Sequence, residues 1–305
     1  TPRFFGDITD FSFVAGIEGE FANDMTYDIS GRFGSNEISY TLANTINPSL
    51  GPDSPTEFNP GDLINEELQF SADFTQFVDF GMEDDVLLAF GLTYMEESYE
   101  LVQGNLESYE VGDFSSADPF GFCTDDGLAT AAGMAVISNG SSLDCSDSSD
   151  AVYTAVGVGS NGFPGYSPEY SGVYERDSFG IYLDASTDIT ADLFVQTALR
   201  YEDYSDFGTE VVGKVAFKYS LTDDINMRGS FGTGFRAPTP GQQGTTNVST
   251  RLPNGFPVAT GLFPAISPVG QALGAEALKP ETSTNMSFGF SGSFDSLTMT
   301  LDFYN

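Results

Sequence analysis

The chain has 305 residues, of which 45 are Asp or Glu and 10 are Lys or Arg, giving a formal net charge of −35. Such a charge repels the phosphates of nucleic acids and argues against nucleic-acid binding. The sequence has neither His nor Trp, and no run of 18 apolar residues that would predict a membrane-spanning helix. A solvated acidic surface, screened by salt, explains the acidity more simply than a dedicated store of cations.

Ten segments alternate between apolar and polar residues with a period of two, which predicts ten β-strands. No apolar row contains a charged residue, and Lys or Arg facing lipid costs about 2–4 kcal/mol at the bilayer midplane. The pattern suits a sheet with one face toward lipid, although the buried face of a soluble sandwich alternates in the same way. In chain order, the apolar rows begin at Phe11, Tyr27, Leu68, Val86, Phe179, Leu193, Val211, Ile225, Met286 and Leu297.

The links between these strands alternate in length. Short links lie at 22–24, 81–85, 188–192, 221–224 and 292–296, and the other links, at 41–65, 96–176, 203–209 and 236–282, are mostly much longer. Short turns at one edge and long loops at the other are typical of outer-membrane barrels, whose short turns are periplasmic. The sequence therefore predicts an all-β, antiparallel, up-and-down transmembrane β-barrel. Long extracellular loop insertions are expected at about 96–176 and 236–283.

The longest link contains both cysteines, Cys123 and Cys145, in a segment rich in Ser and Asp. Two cysteines without a nearby His make a poor metal site. A disulfide between them would close a loop of about 23 residues and stabilise it by roughly 3 kcal/mol. It would also suit an oxidising cell-surface location, with two free thiols as the alternative. Residues 128–137 are expected to form a short helix.

The same link supplies candidates for binding a ligand or a metal. Its aromatic residues could stack on sugar rings, although such rings equally often pack among themselves; they are Tyr153, Phe163, Tyr166, Tyr170 and Tyr174. Three aspartates are weak candidates for calcium, namely Asp144, Asp147 and Asp150. They lack the spaced Asp loop with a terminal Glu that forms a compact calcium site. A solvated acidic run is the simpler interpretation, and no metal or cofactor is predicted.

Four phrases, taken together, resemble the TonB-dependent outer-membrane receptor family. One phrase, Gly234-Phe235-Arg236-Ala237-Pro238, follows the strand at 225–231. Another begins with Arg200-Tyr201-Glu202, in an earlier strand. A later one, from Leu278 to Ser283, contains Pro280 and Glu281, and the earliest runs from Asn47 to Pro52 and from Ser54 to Phe58. All four occur in the order expected of the family.

The resemblance implies a 22-stranded barrel in the outer membrane of a Gram-negative bacterium. Family members also carry an N-terminal plug and a segment that the TonB complex grips. Neither is visible here, so residues 1–305 are expected to be a partial barrel domain, with about ten strands, lipid around it and TonB acting through the missing part. The implied function is import of a scarce nutrient driven by the inner-membrane proton gradient.

Charges are expected to concentrate on the face opposite the apolar rows. There they would form a network against an inserted plug or line an open channel; the predicted inward residues are Arg32, Arg200, Lys214, Lys218, Arg228, Glu18, Asp28, Asp184, Glu202 and Asp302. Arg236 is expected to pair with an inward carboxylate, in a structural role. Gly232 and Gly234 would permit a bend where the strand leaves the membrane, and Pro238 and Pro240 would end the ladder.

Three functions compete on these observations. The first is active transport of a ligand such as a ferric siderophore, an oligosaccharide or cobalamin, and the acidic loops slightly favour a neutral glycan. The second is a complete ten-stranded barrel acting as a surface enzyme, but without His no Ser/His or Cys/His constellation is available, and the chain is predicted not to be an enzyme. The third is a structural or adhesive surface barrel without transport.

Overall fold

A computed structural model describes residues 1–251 and 258–305. This part of the chain forms thirteen strands: β1 (Arg3–Glu20), β2 (Thr26–Ala43), β3 (Glu57–Phe58), β4 (Asp62–Val78), β5 (Val86–Leu101), β6 (Gly172–Thr190), β7 (Leu193–Tyr204), β8 (Gly208–Thr222), β9 (Ile225–Arg236), β10 (Asn247–Arg251), β11 (Val258–Leu262), β12 (Glu281–Phe294) and β13 (Leu297–Tyr304). It also forms three short α-helices: α1 (Ala131–Ser138), α2 (Pro240–Gly244) and α3 (Pro268–Ala272). None of the helices in the described ranges has the length and apolar character needed to cross a membrane.

Ten of the strands form one antiparallel sheet in the order β1-β2-β4-β5-β6-β7-β8-β9-β12-β13. Each long strand pairs with the next long strand along the chain, which confirms the predicted up-and-down topology. The short strand β3 pairs with the end of β2, and β10 pairs with β11 as a separate hairpin. Within the described part, β1 and β13 each have one neighbour, so the sheet is open.

The register separates an apolar face from a polar face, because residues directly opposite each other point to the same side of a sheet. On the apolar face Phe13 lies opposite Phe33, which lies opposite Leu68. Large side chains such as Phe13 and Phe231 are exposed there. Rows of exposed apolar side chains on the outside of a strand ladder are those that face lipid in an outer-membrane barrel.

Short turns and long loops segregate to opposite edges of the sheet, as predicted. Turns of two residues connect β6 to β7, β8 to β9 and β12 to β13, and slightly longer ones connect β1 to β2 and β4 to β5. Asp24 and Asp295, both in these turns, adopt positive φ angles of 61° and 48°. At the other edge the loops span 44–61, 102–171 and 237–280, and one short turn spans 205–207.

The boundaries predicted for the longest loop, about 96–176, were wrong by several residues at each end. Strand β5 continues to Leu101 and β6 begins at Gly172, and the ladder is unbroken between them. Both faces of this extension carry polar residues, so the apolar alternation that marks a strand is absent while the backbone hydrogen bonds persist. The other predicted loop, about 236–283, contains α2, the β10–β11 hairpin and α3. Residues 252–257 of that loop lie outside the described residues.

The tightest packing lies at the long-loop edge rather than along the middle of the strands. Leu42 and Leu101, at the ends of β2 and β5, are almost fully buried, as are Phe58 and Pro60 in the loop between β2 and β4. Tyr166, from the loop between β5 and β6, is also buried. We call residues 44–61 and 102–171 together the loop cap, because this core joins them into one body.

Candidate functional site

The loop cap is held together by one buried asparagine. Asn47 is completely buried, and its Nδ2 donates to the carbonyls of Glu107 at 3.0 Å and Glu110 at 2.9 Å. Its Oδ1 accepts from the hydroxyl of Ser49 at 2.7 Å and from the backbone N–H of Gly159 at 3.1 Å. A buried amide that satisfies both its donors and its acceptor fixes its surroundings, since leaving any of these groups unpaired would be costly. This explains the asparagine of the 47–52 phrase.

Further bonds between the two loops also end on backbone groups. The hydroxyl of Thr45 donates to the carbonyl of Asn161 at 2.7 Å, and the N–H of Asn161 donates to the carbonyl of Ile46 at 2.8 Å. Asn59 and Asn105 exchange bonds in the same way, with a side-chain oxygen and a backbone carbonyl as the two acceptors. The loops therefore form a rigid surface above the sheet.

The predicted disulfide is confirmed. Cys123 and Cys145 are bonded, with their Cα atoms 5.5 Å apart. Helix α1 lies between them, capped by the side chain of Thr130, which accepts from the N–H of Gly133 at 3.2 Å. This places a helix at 131–138, which overlaps the predicted 128–137 and ends one residue later. The bond closes this arm of the loop cap and stabilises it by roughly 3 kcal/mol in the chain-entropy account.

The three aspartates near Cys145 accept local hydrogen bonds. Asp144 accepts from Ser146, and Asp147 accepts from Ser149, in each case from both the hydroxyl and the backbone N–H. These bonds lower the pKa of both carboxyls, because they favour the charged form. Asp150 accepts from two backbone N–H groups. Across ranges 1–251 and 258–305, no group of three or more His, Cys, Asp or Glu residues is arranged to hold a metal ion.

Most of the candidate stacking residues are occupied by packing. Phe163 stacks on Phe4 and approaches Tyr40, with ring centroids 5.1 and 5.9 Å away. Tyr166 lies edge-on to Phe163 and is only 6% exposed. Burial raises the pKa of Tyr166 to about 12, with neighbouring tyrosines as smaller causes. Tyr153 donates its hydroxyl to the carbonyl of Cys145 at 2.8 Å.

The remaining two candidates lie near the loop that follows β9. Tyr170 contacts Phe263 edge-on at 6.3 Å. It also lines, with Tyr166, a small cavity of about 120 Å³. Tyr174 packs against Gly244, where an added Cβ would meet the ring at 2.2 Å. The five aromatic residues therefore do not converge on one surface, and their role in ligand binding stays a prediction.

A second group of residues lies on the polar face, under a segment that we call the strap, residues 237–246. The strap leaves the end of β9, and its helix α2 packs against β5 and β6, on the far side of β7 and β8. Gly241 lies against the ring of Tyr99, and Gln243 hydrogen-bonds to Asp206. The Phe-Arg-Ala-Pro phrase thus marks the point where the chain turns back across the polar face.

Arg176 connects the strap to the sheet. Its side chain is only 4% exposed and forms ion pairs with Glu97 and Asp206. Its Nη1 donates to the carbonyl of Pro238, and its guanidinium lies 5.1 Å from the ring centre of Tyr204. Sequence reasoning missed this residue because it placed Arg176 at the end of a loop. A lone Arg directly opposite Glu97 in the continued ladder is the signal that would have found it.

The other predicted inward charges share the polar face, as the register requires. Arg32 pairs with Glu67 at 3.2 Å, and Arg228 pairs with Asp302 at 2.6 Å. Arg200 and Tyr204 both bond to the buried carboxylate of Glu202. Lys214 and Lys218 occupy the same face, opposite Ala198 and Phe194, and so do the acidic residues Glu18, Asp28 and Asp184.

Glycines on a middle strand allow polar side chains on the two flanking strands to bond across it. Gly289 lies between Arg228 and Asp302 in the ladder, and a Cβ there would meet Asp302 at 2.1 Å. Gly91 has the same position between Asp73 and Tyr182, whose hydroxyl donates to Asp73 at 2.6 Å. Small residues in the middle strand therefore let long polar side chains meet across it.

Arg236 does not pair with a carboxylate as expected. In the described part of the chain, no Asp or Glu oxygen lies within 4.0 Å of its guanidinium. Its Cα partner across the ladder is Glu281, and Phe235 lies opposite Thr282. The phrase from Gly234 to Pro238 and the phrase containing Pro280 and Glu281 therefore meet where β9 and β12 begin to pair.

The remaining motif residues take distinct faces of β7 and β9. Arg200 and Glu202 point to the polar face, whereas Tyr201 points to the apolar face opposite Val211. Phe235 packs edge-on against Tyr204 at 6.0 Å. Ala237 and Pro238 form the first residues of the strap, and Pro238 is buried.

The family model described as TonB dependent receptor-like, beta-barrel, matches residues 2–305. The chain belongs to the TonB-dependent receptor family. Proteins of this family lie in the outer membrane of Gram-negative bacteria, and the receptor chain is an outer-membrane protein. The family comprises receptors and transporters rather than enzymes.

Several solved structures similar to this chain are siderophore receptors. The siderophore receptor PirA from Acinetobacter baumannii shares 14% identity with a TM-score of 0.58, covering 98% of this chain and 34% of PirA. A ferric enterobactin receptor, PfeA, from Pseudomonas aeruginosa shares 12% identity with a TM-score of 0.58, covering 98% and 34%. The ferripyoverdine receptor of the Pseudomonas aeruginosa outer membrane shares 15% identity with a TM-score of 0.53, covering 96% and 32%.

These similarities establish the fold. The chain spans about a third of the length of the solved structures that it matches. No curated protein matches the chain.

Proposed function

We propose that the chain is part of an outer-membrane receptor that binds a scarce nutrient and imports it with energy delivered by the TonB complex. The match to the receptor family over residues 2–305 is the observation that carries this proposal. In it, residues 1–305 form part of a barrel domain. The loop cap and the loop from 237 to 280 face the extracellular side, and the two-residue turns face the periplasm.

The rigid loop cap and the charged polar face of the sheet both support a receptor function. The loop cap is tied together through buried Asn47 and the disulfide, which gives a preformed surface for a ligand. Below it, the polar face carries ion pairs that would line the interior of a barrel. Barrel interiors are polar, and a charged wall suits contact with a plug or with a hydrated solute.

The similar solved structures are receptors for siderophores, enterobactin and pyoverdine among them. At 12–15% identity they support the fold alone. The nutrient therefore has to be found by experiment. Candidates are ferric siderophores, oligosaccharides and cobalamin.

The test compares cells that express the full gene product with cells that lack it. Uptake of ferric enterobactin, cobalamin and maltoheptaose is measured under limitation for iron, cobalamin or carbon. We expect uptake of one nutrient class to fall at least tenfold in the deletion strain. A protonophore should cause the same fall in the parent strain, because transport through this family is expected to draw on the inner-membrane proton gradient.

The competing function is a structural or adhesive barrel without transport. Its prediction is unchanged uptake of all three solutes, with reduced attachment to surfaces or altered envelope integrity in the deletion strain. Restoring the gene on a plasmid serves as the control for both outcomes. Unchanged uptake across the panel, with restored attachment, would favour the adhesive function.

A further inference from the structure

A cavity of about 570 Å³ lies between the strap and the start of the β9–β12 ladder. Its apolar wall includes Ala237, Pro238, Leu262 and Leu278, and Arg236, Lys279 and Glu281 supply its charges. The volume falls within the range of about 300–1,000 Å³ that is usual for small-molecule sites. A mostly apolar wall with a few polar groups is also the usual composition of such sites.

The charge of this cavity differs from that of the rest of the molecule. The chain carries 45 acidic residues against 10 basic ones, yet two basic side chains and one carboxylate line this cavity. Four other arginines on the polar face, at positions 32, 176, 200 and 228, each pair with a carboxylate. Arg236 has no such partner among residues 1–251 and 258–305, so its guanidinium is available to a ligand.

The walls around Arg236 are fixed by bonds that do not use its side chain. Arg176 donates to the carbonyl of Pro238. Thr239 and Gln242 cap helix α2 reciprocally, the N–H of Thr239 donating to Gln242 Oε1 at 2.9 Å and the N–H of Gln242 donating to the Thr239 hydroxyl at 3.2 Å. Such preorganisation reduces the ordering cost of binding.

We propose that this cavity, which we call the Arg236 cavity, binds the anionic oxygens of a carboxylate-bearing solute through the guanidinium of Arg236. The apolar wall would hold the uncharged part of the same solute, and Lys279, which pairs with Glu276 at 3.0 Å, lies at the rim. The proposal rests on the proposed function, and within it the nutrient carries negative charge. It replaces the neutral glycan that the acidity of the loops had favoured.

The geometry favours a planar carboxylate over an isolated charge. Arg presents parallel N–H donors that match the two oxygens of a carboxylate. Glu281 lies opposite Arg236 in the ladder and is the acidic group nearest in register. Its negative charge opposes an anion in the cavity, so neutralising it should strengthen binding.

The test uses the full gene product purified in detergent, with citrate as the probe and maltotriose as an uncharged comparison, in isothermal titration calorimetry. We expect citrate to bind and the Arg236→Gln variant to bind it about tenfold more weakly, as loss of a charge-assisted bidentate bond implies. Arg236→Lys should lie between the two, and Glu281→Gln should bind citrate more tightly than the native protein. Maltotriose should not distinguish these variants.

The matched control is Arg32→Gln, which removes the same charge from an exposed arginine on the same face that is paired with Glu67. Equal losses in Arg32→Gln and Arg236→Gln would overturn the proposal, and so would an absence of citrate binding to the native protein. These measurements need no TonB complex. Citrate binding that depends on Arg236, together with uptake that ignores the proton gradient, would reject the proposed function and keep this site.

Discussion

Replacing Arg176 with Met tests whether one buried guanidinium holds the strap across the polar face. The substitution removes the ion pairs to Glu97 and Asp206 and the bond to the carbonyl of Pro238. In the variant, the closed strap covers two carboxylates that have lost their cation. Opening of the strap would let water hydrate them. The variant therefore shifts the equilibrium between closed and open strap toward the open state.

The size of the shift follows from the exposure of the partners. Breaking a buried ion pair by removing one partner costs about 3–5 kcal/mol. The side chain of Arg176 is 4% exposed, but those of Glu97 and Asp206 are 17% and 19% exposed. Water already reaches the carboxylates in part, so we take the lower end, about 3 kcal/mol. At about 1.4 kcal/mol per factor of ten, the opening equilibrium constant should rise roughly 100-fold.

Hydrogen exchange measured by mass spectrometry on the detergent-solubilised protein reads this quantity directly. When opening and closing are fast relative to exchange, amide exchange rates follow the opening equilibrium. Peptides from the strap should therefore exchange about 100-fold faster in Arg176→Met. Peptides from β1 and β2 should not change.

The control is Arg32→Met, which breaks an ion pair whose side chains are 47% and 35% exposed. Pairs of that kind contribute about 0–1 kcal/mol, so its strap should exchange at the native rate. Native exchange rates in the strap of Arg176→Met would refute the idea that Arg176 holds the strap closed. So would equal acceleration in both variants.

Two further predictions concern the loop cap. Asn47→Leu leaves the carbonyls of Glu107 and Glu110 and the N–H of Gly159 without their buried partner; at about 1–3 kcal/mol for each unsatisfied group, limited proteolysis within 102–171 should accelerate at least tenfold, and a native cleavage rate would contradict this. Burial raises the pKa of Tyr166 from 10.0 to about 12, so its stabilising contribution is complete below pH 10 and is lost as the pH rises through about 12. The late-titrating part of the tyrosinate absorbance should shrink by the amplitude of one tyrosine in Tyr166→Phe, and an unchanged late amplitude would reject the assignment.

The strands were predictable because one face of each carries an apolar row. Where the strands extend beyond that row, as in β5 from Glu96 to Leu101, polar residues lie on both faces and periodicity gives no signal. Backbone ladder bonds continue there without needing any side-chain pattern. The sequence therefore predicted the existence and order of the ten strands and their segregated turns. It placed the start of the longest loop too early and its end too late.

The site was less predictable because its contacts join residues far apart in sequence. Asn47 bonds to Gly159, 112 positions away, and Arg176 bonds to Pro238, 62 positions away. No local pattern encodes such a pairing, since it depends on how two loops fold over the same edge. The expected partner for Arg236 was wrong for a related reason: the strap turns back across the sheet, and Arg176, on a strand three ladders away, holds its backbone.

The bonds of Asn47 and Thr45 across the loop cap end mainly on main-chain carbonyls and N–H groups. Every residue type supplies these groups, proline's missing N–H aside. Most side chains on the outer surface of the cap can therefore be exchanged without removing the bonds that hold its shape. The architecture of the cap and the chemistry that it displays are set by different atoms, which leaves a receptor surface free to acquire a new ligand while its scaffold stays the same.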